Sequence, residues 1–333
     1  MIPPDSIPKT YSFITFIRTN MIKFLKIMLM ALPVFVLSSS CVKEDLDDCD
    51  NVTIYFQYLA DGDTDVLYKY MSKVDLYVFD EGGHIMGVGH YTQDELKNFD
   101  AVPSFRLQYG KRYKVVAIGN AYDHTAVENI YADRLSDIYI QSPFWNDDSR
   151  NVINHDDNYM GQQEFVMPDQ EGVMYRDTVT LYSSHVDTEV EIYGLPAPQS
   201  RADIPYELSF ENSNAQTSFE NEINTEVKGT IYPELVYDAE KNCYHTSDFA
   251  LFRLDHETSL DETTCAHQLV LKDKNTGVEL VRGNILNYLN RYREDIDVTK
   301  QEALLPISIV FDQVGVSIRL PEWYVEDIEP DWQ

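Results

Sequence analysis

Basic residues are scarce in this 333-residue chain: 26 lysines and arginines stand against 56 aspartates and glutamates, for a formal charge of −30. A surface so strongly of one sign repels phosphate backbones, which excludes nucleic acid as a partner. The imbalance deepens after residue 40, because residues 1–40 carry Lys9, Arg18, Lys23 and Lys26 against Asp5, leaving about −33 on the remainder. A 44% hydrophobic share with 12% aromatics argues against disorder, and a chain of this length is long enough for two domains.

Cysteine is nearly missing as well, with only Cys41, Cys49, Cys243 and Cys265. No CxxC and no cysteine–histidine spacing suggests a zinc site. In an oxidising compartment Cys243 and Cys265 would close a modest loop, and that bridge is expected, with two inert thiols as the alternative; Cys49 has no assigned partner.

Catalytic motifs are absent too. The eight histidines, His84, His90, His185 and His256 among them, form no His-Glu-x-x-His run, and there is no Gly-x-Ser-x-Gly elbow or phosphate-cradling glycine loop. Gly87-Val88-Gly89 reads as strand or turn. Asp61, Asp63 and Asp65 have the opening spacing of a calcium loop, but Val66 and Ser72 stand where such a loop needs Gly and Glu. A glycosidase-type carboxylate pair depends on the fold, and in so acidic a chain any one pair carries little information. No enzyme activity, catalytic residue, cofactor or metal ligand is therefore expected.

No permanent transmembrane helix is expected at the N-terminus. The apolar run Ile27 to Leu37 follows Lys23 and Lys26, is broken by Pro33, and falls short of the roughly 20 residues that span a bilayer. With Ser38-Ser39-Ser40 behind it, it makes a secretory signal over residues 1–40, with Met21 as the expected start. Cys41 then stands where a bacterial lipoprotein is cut and acylated on its thiol, although Ser38 occupies the place where leucine is usual. An ordinary signal peptide would leave Cys41 a plain thiol. Residues 41–51 read as an acidic linker.

What is present after the linker is alternation. Val52, Ile54, Phe56 and Tyr58 interleave with Thr53, Tyr55 and Gln57; Val74-Leu76-Val78, Phe105-Leu107-Tyr109, Tyr113-Val115-Ala117 and Val186-Thr188-Val190-Ile192 repeat the period of a half-buried strand. Glycine- and aspartate-rich turns separate them, as at Asp61-Gly62-Asp63 and Glu81-Gly82-Gly83. Residues 139–158 read as a long polar loop. Gly283 to Arg293 is the one firm helix, with Ile285, Leu286 and Leu289 on a shared face, and 92–99 a short second. The fold class is mainly β: two tandem antiparallel β-sandwich domains, 52–172 and 173–333, with one or two short helices.

Several segments resemble the FimB/Mfa-type fimbrial anchor subunit family, lipoproteins of Bacteroidetes-type bacteria. They are Glu44-Asp45-Leu46-Asp47-Asp48-Cys49 behind the lipobox cysteine, Lys73 to Gly83, Tyr109 to Asn120, Leu251-Phe252-Arg253-Leu254, and Ile318-Arg319-Leu320-Pro321-Glu322-Trp323. Their order along one chain is more specific than any single piece. The resemblance implies transthyretin-like sandwiches and a lipid-held base for a fimbrium that can limit fibre length. Docking of the shaft subunit is expected by strand addition: the chain either donates Val314 to Leu320 with its tail through Trp332, or accepts a strand at an edge of either domain, and a closed final strand with Trp323 as its packing anchor is the expectation for the C-terminus. Lys43-Glu44-Asp45 resembles the signal that sends such lipoproteins to the outer surface of the outer membrane. The rival reading is a surface glycan-binding lipoprotein that uses its 23 tyrosines and 3 tryptophans as stacking platforms.

Overall fold

The first alternating run becomes β1 (Val52–Gln57), whose Val52 and Ile54 are fully buried. The computed structural model describes residues 49–98, 103–145, 152–200, 203–247, 249–254 and 265–326. Asp50–Gln333 form one compact unit. β1 is flanked by β4 (Ser104–Phe105), antiparallel, and by β9 (Tyr175–Thr180), parallel. Facing it is a five-stranded sheet in the order β10 (Tyr182–Ser183), β8 (Tyr159–Val166), β5 (Arg112–Gly119), β2 (Lys73–Asp80), β3 (Ile85–Thr92). Val52, Ile54, Val74, Leu76, Val115 and Val179 fill the space between these sheets. Each such side chain taken from water contributes about 1.5–3 kcal/mol. Two short helices, α1 (Leu67–Tyr70) and α2 (Gln93–Asn98), close the rim.

β2 differs from a half-buried strand, because both of its faces are covered. Val74, Leu76 and Val78 face the first core, while Tyr77 and Phe79 pack with Val116, Ile118, Ile140 and Phe219 in a second core. The cover is a small sheet of β6 (Ala126–Glu128), β7 (Tyr139–Gln141) and β13 (Gln216–Ser218). β7 thus lies inside the stretch expected to be loop, and its partner β13 comes from the second half of the chain.

The second sandwich begins with β11 (His185–Tyr193). One sheet runs β15 (Leu235–Asp238), β16 (Cys243–Thr246), β11, β20 (Leu304–Phe311), β21 (Val316–Arg319), and β17 (Phe249–Phe252) also pairs with β11. The other runs β14 (Lys228–Ile231), β12 (Tyr206–Asn214), β18 (Gln268–Asp273), β19 (Glu279–Asn284). Val190, Ile192, Phe210, Leu269, Leu271 and Ile307 lie between them. Helix α3 (Ile285–Arg291) buries the expected Ile285, Leu286 and Leu289, and its N-cap Asn284 accepts a hydrogen bond from the Asn287 amide at 2.8 Å. The last helix is α4 (Glu322–Glu326).

Two features depart from the sequence reading. The sandwiches are not wholly antiparallel: β1 pairs with β9, and β11 with β20, in parallel. In each half the opening strand takes a late strand as its parallel neighbour, which a long crossover permits and a hairpin does not. In addition, β9 and β10 lie beyond residue 172 yet pair with β1 and β8, so the passage into the second sandwich falls at Ser184.

Candidate docking edge

The hairpin β2–β3 depends on its turn. Asp80 Oδ1 accepts hydrogen bonds from the amides of Gly82 and His84, both at 2.9 Å. The bond from the His84 amide leads the effects that hold the Asp80 carboxyl below its usual range. Gly83 has φ +81°, and a Cβ there would sit 2.3 Å from the Asp133 carbonyl oxygen, so no other residue fits. Register is fixed further along, where the Lys73 ammonium (3.1 Å) and His90 Nδ1 (2.7 Å) converge on the buried carboxylate of Asp75. At the far end Glu95 reaches back to the amide and hydroxyl of Thr92, at 2.8 and 2.7 Å, and starts α2.

These anchors hold out an open edge. Among the described residues β3 pairs only with β2, along one side, and lies at the end of its sheet. It runs for eight residues, whereas β4 and β10 have two each. Met86 and Val88 are 53% and 43% exposed, and the strand IMGVGHYT has no fully buried residue, no lysine and no proline. Natural sheets usually blunt an edge with charge, proline, a bulge or brevity; β3 has a bulge at Met86, where Ile85 opposes Phe79 and Gly87 opposes Val78, and the regularly paired, weakly charged run that follows it is a template for another strand.

The C-terminal strand offers less. β21 pairs with β20 and completes its own sheet, and the Trp323 indole donates to Glu191 Oε2 at 3.2 Å, as a packing anchor would. Trp332 lies outside the described residues, as do Cys41, Lys43, Glu44 and Asp45; Cys49 is described and exposed.

The expected Cys243–Cys265 bridge is not formed. Cys243 sits in β16 opposite Tyr193 and Asp238, whereas Cys265 enters the opposing sheet just before β18, where burial pushes its thiol up to about 12. Two of the three aspartates of the calcium-like spacing are committed to backbone: Asp65 Oδ1 accepts from the Tyr58 and Leu67 amides at 3.1 and 3.0 Å, and Asp61 accepts from the Gln301 amide at 3.1 Å, while Asp63 accepts from the Thr64 hydroxyl at 3.3 Å. Asn51, in a formal glycosylation triplet, is buried and pairs with the backbone of Leu107 in both directions at 2.8 Å.

Most of the tyrosine is framework. Tyr244 and Tyr288 bury their rings and donate to the carbonyls of Pro196 and Pro306 at 2.6 and 2.5 Å. The exposed ones, Tyr55, Tyr68, Tyr122, Tyr131 and Tyr182, are spread over β1, α1, two loops and β10, while Trp145 and Trp323 are half-buried. No helix among the described residues is long and apolar enough to cross a membrane.

The two-sandwich fold has counterparts among known proteins. Residues 46–329 match the family of fimbrillin-A associated anchor proteins, Mfa1 and Mfa2. The chain belongs to this family. It is a family of cell-surface fimbrial anchor proteins and not a known enzyme family. No curated protein matches the sequence significantly. The fimbrial anchor protein Mfa2 from Porphyromonas gingivalis superposes with a TM-score of 0.58 at 15% identity, over 81% of this chain and 95% of that one. A candidate adhesin from Bacteroides ovatus gives 0.61 at 16% identity, over 85% and 96%. A candidate polysaccharide-binding protein from Bacteroides thetaiotaomicron gives 0.60 at 16%, over 83% and 100%. At these identities the likeness is one of fold.

Proposed function

We propose that this protein is the lipid-held base of a fimbrium: acyl chains on Cys41 hold it in the outer membrane, and the β3 edge pairs with a strand of the first shaft subunit. The supporting observation is an eight-residue strand at a sheet end, with Met86 and Val88 exposed and no residue fully buried, in a member of a fimbrial anchor family. Backbone hydrogen bonds along such an edge give affinity, and side chains such as Met86 and Val88 give selectivity. Several acyl chains on one residue matter because a single chain binds a bilayer only marginally. Lys43-Glu44-Asp45 directs the protein to the outer face, the acidic linker to Asp50 spaces the sandwiches from the lipid, and occupancy of the base limits fibre length. A glycan-binding face would need a continuous aromatic platform, and the scattered exposed tyrosines favour the anchor reading over it.

The test is a Cys41→Ala chain expressed in place of the natural one. Protein and fibres are expected to leave the membrane fraction and appear in the medium. Fibres retained on cells carrying that variant would overturn lipid anchoring.

A further inference from the structure

A different cluster lies where the two sandwiches meet. Asp157, His185 and Asp187 each present one ligand atom, and these atoms all lie within 4.8 Å of one another. The chain assembles them simply. β11 opens at His185, so His185 and Asp187, two residues apart on a strand, share a face. Asp157 arrives on the segment that leads into β8. The neighbouring residue Asn158 supplies the orienting contact, its carbonyl oxygen lying 3.0 Å from His185 Nδ1.

That contact decides which ring nitrogen is available. Nδ1 donates its proton to the carbonyl, so Nε2 carries the lone pair. Nε2 lies 3.6 Å from Asp187 Oδ1. The His185 side chain is only 3% exposed, so bulk water does not compensate it. A cation seated between this nitrogen and the two carboxylates would meet one lone pair and two negative charges. Glu302 adds negative charge to the surroundings and Arg253 positive charge.

We propose that Asp157, His185 and Asp187 bind a divalent first-row transition cation of the zinc type. One imidazole and two carboxylates suit such an ion and neutralise it, and a histidine held through its other nitrogen by a backbone carbonyl is the usual orientation of a ligand. Ligand atoms about 2.0–2.2 Å from a tetrahedral centre lie about 3.3–3.6 Å apart, so binding would draw the exposed Asp157 carboxylate and the half-buried Asp187 carboxylate inward by about 1 Å. An open depression of about 380 Å³, lined by Asn154, Asp157, Asp187 and Glu189, provides the entry. The ion would tie the segment before β8 in the first sandwich to the opening strand of the second, and so stiffen the joint.

The test uses the full chain purified in detergent, stripped with chelator and titrated with Zn²⁺. One Zn²⁺ per chain is expected, with the melting temperature rising by about 5 °C at a hundredfold excess over Kd. Asp157→Asn should weaken Zn²⁺ binding at least tenfold and abolish that rise, with the metal-free melting temperature unchanged; His185→Gln should do the same. If His185→Gln does not fold, Asp157→Asn decides alone. Failure of the natural chain to hold stoichiometric Zn²⁺, or undiminished binding in Asp157→Asn, would overturn the site. Ca²⁺ binding as tight as Zn²⁺ would overturn the choice of ion class.

Discussion

The phenol of Tyr58 donates a hydrogen bond to the carboxylate of Glu302, 244 residues further along, and Tyr159 donates to the same carboxylate at 3.2 Å. One acidic side chain before β20 thereby holds the end of β1 and the start of β8, and links the two sandwiches. Burial raises the pKa of Glu302 above 4.5, and the tyrosine bonds only partly oppose it. The folded state thus binds this proton more tightly than the unfolded state. The group's contribution to stability is fully present below pH 4.5 and is lost as pH rises through the raised value. Glu302→Gln, which does not titrate, should gain on the natural chain between pH 4 and pH 7, as read by urea unfolding at both. Tyr58→Phe removes a donor to a charged acceptor and should cost about 1–3 kcal/mol at pH 7 and less at pH 4.

Two histidines set the acid limb of stability. His155 and His267 are buried and neither ring nitrogen of either has a hydrogen-bond partner, so desolvation holds each at about 3 against an ordinary 6.5. Because the unfolded chain binds these protons first, stability is full above pH 6.5 and falls as pH drops toward about 3. His155 stacks on Phe252 with ring centres 4.0 Å apart, which a phenyl ring can reproduce. His155→Phe should make the decline shallower in urea unfolding from pH 7 to pH 4, and an unchanged slope would refute the assignment.

What the sequence showed clearly was what depends on neighbours in the chain. The alternating runs at Val52, Val74, Tyr113 and Val186 all became strands, and the Asn284 cap and the apolar face of Leu286 marked α3. The parallel pairings and the second burial of β2 were hidden because they depend on Tyr175–Thr180 and Phe219, more than 100 residues away from their partners. β3 was read as no more than a strand or turn at Gly87-Val88-Gly89, since its two glycines and the bulge at Met86 leave no apolar period to detect. His185 and Asp187 carry a legible two-residue spacing, but Asp157 joins them only through the fold.

The cap of α3 is a local test of that legibility. Asn284→Ala leaves the Asn287 amide without its acceptor at the start of a seven-residue helix. The expected cost is about 1 kcal/mol, read as a lower urea midpoint with an unchanged slope. No effect would mean that the packing of Ile285 and Leu289 holds the turn by itself.

The edge of β3 gives the test that separates docking from stability. Val88 is exposed and β3 has no partner beyond β2, so Val88→Lys should change stability by no more than about 0.5 kcal/mol. The same lysine places a charge on an edge that strand addition must cover, the device by which natural sheets refuse an extra strand. Co-purification of the shaft subunit should therefore drop at least tenfold while the urea midpoint stays in place, and the same change at Val236, on the edge strand β15, should leave co-purification intact. Capture that survives Val88→Lys but fails with Val236→Lys would move the docking edge from the first sandwich to the second.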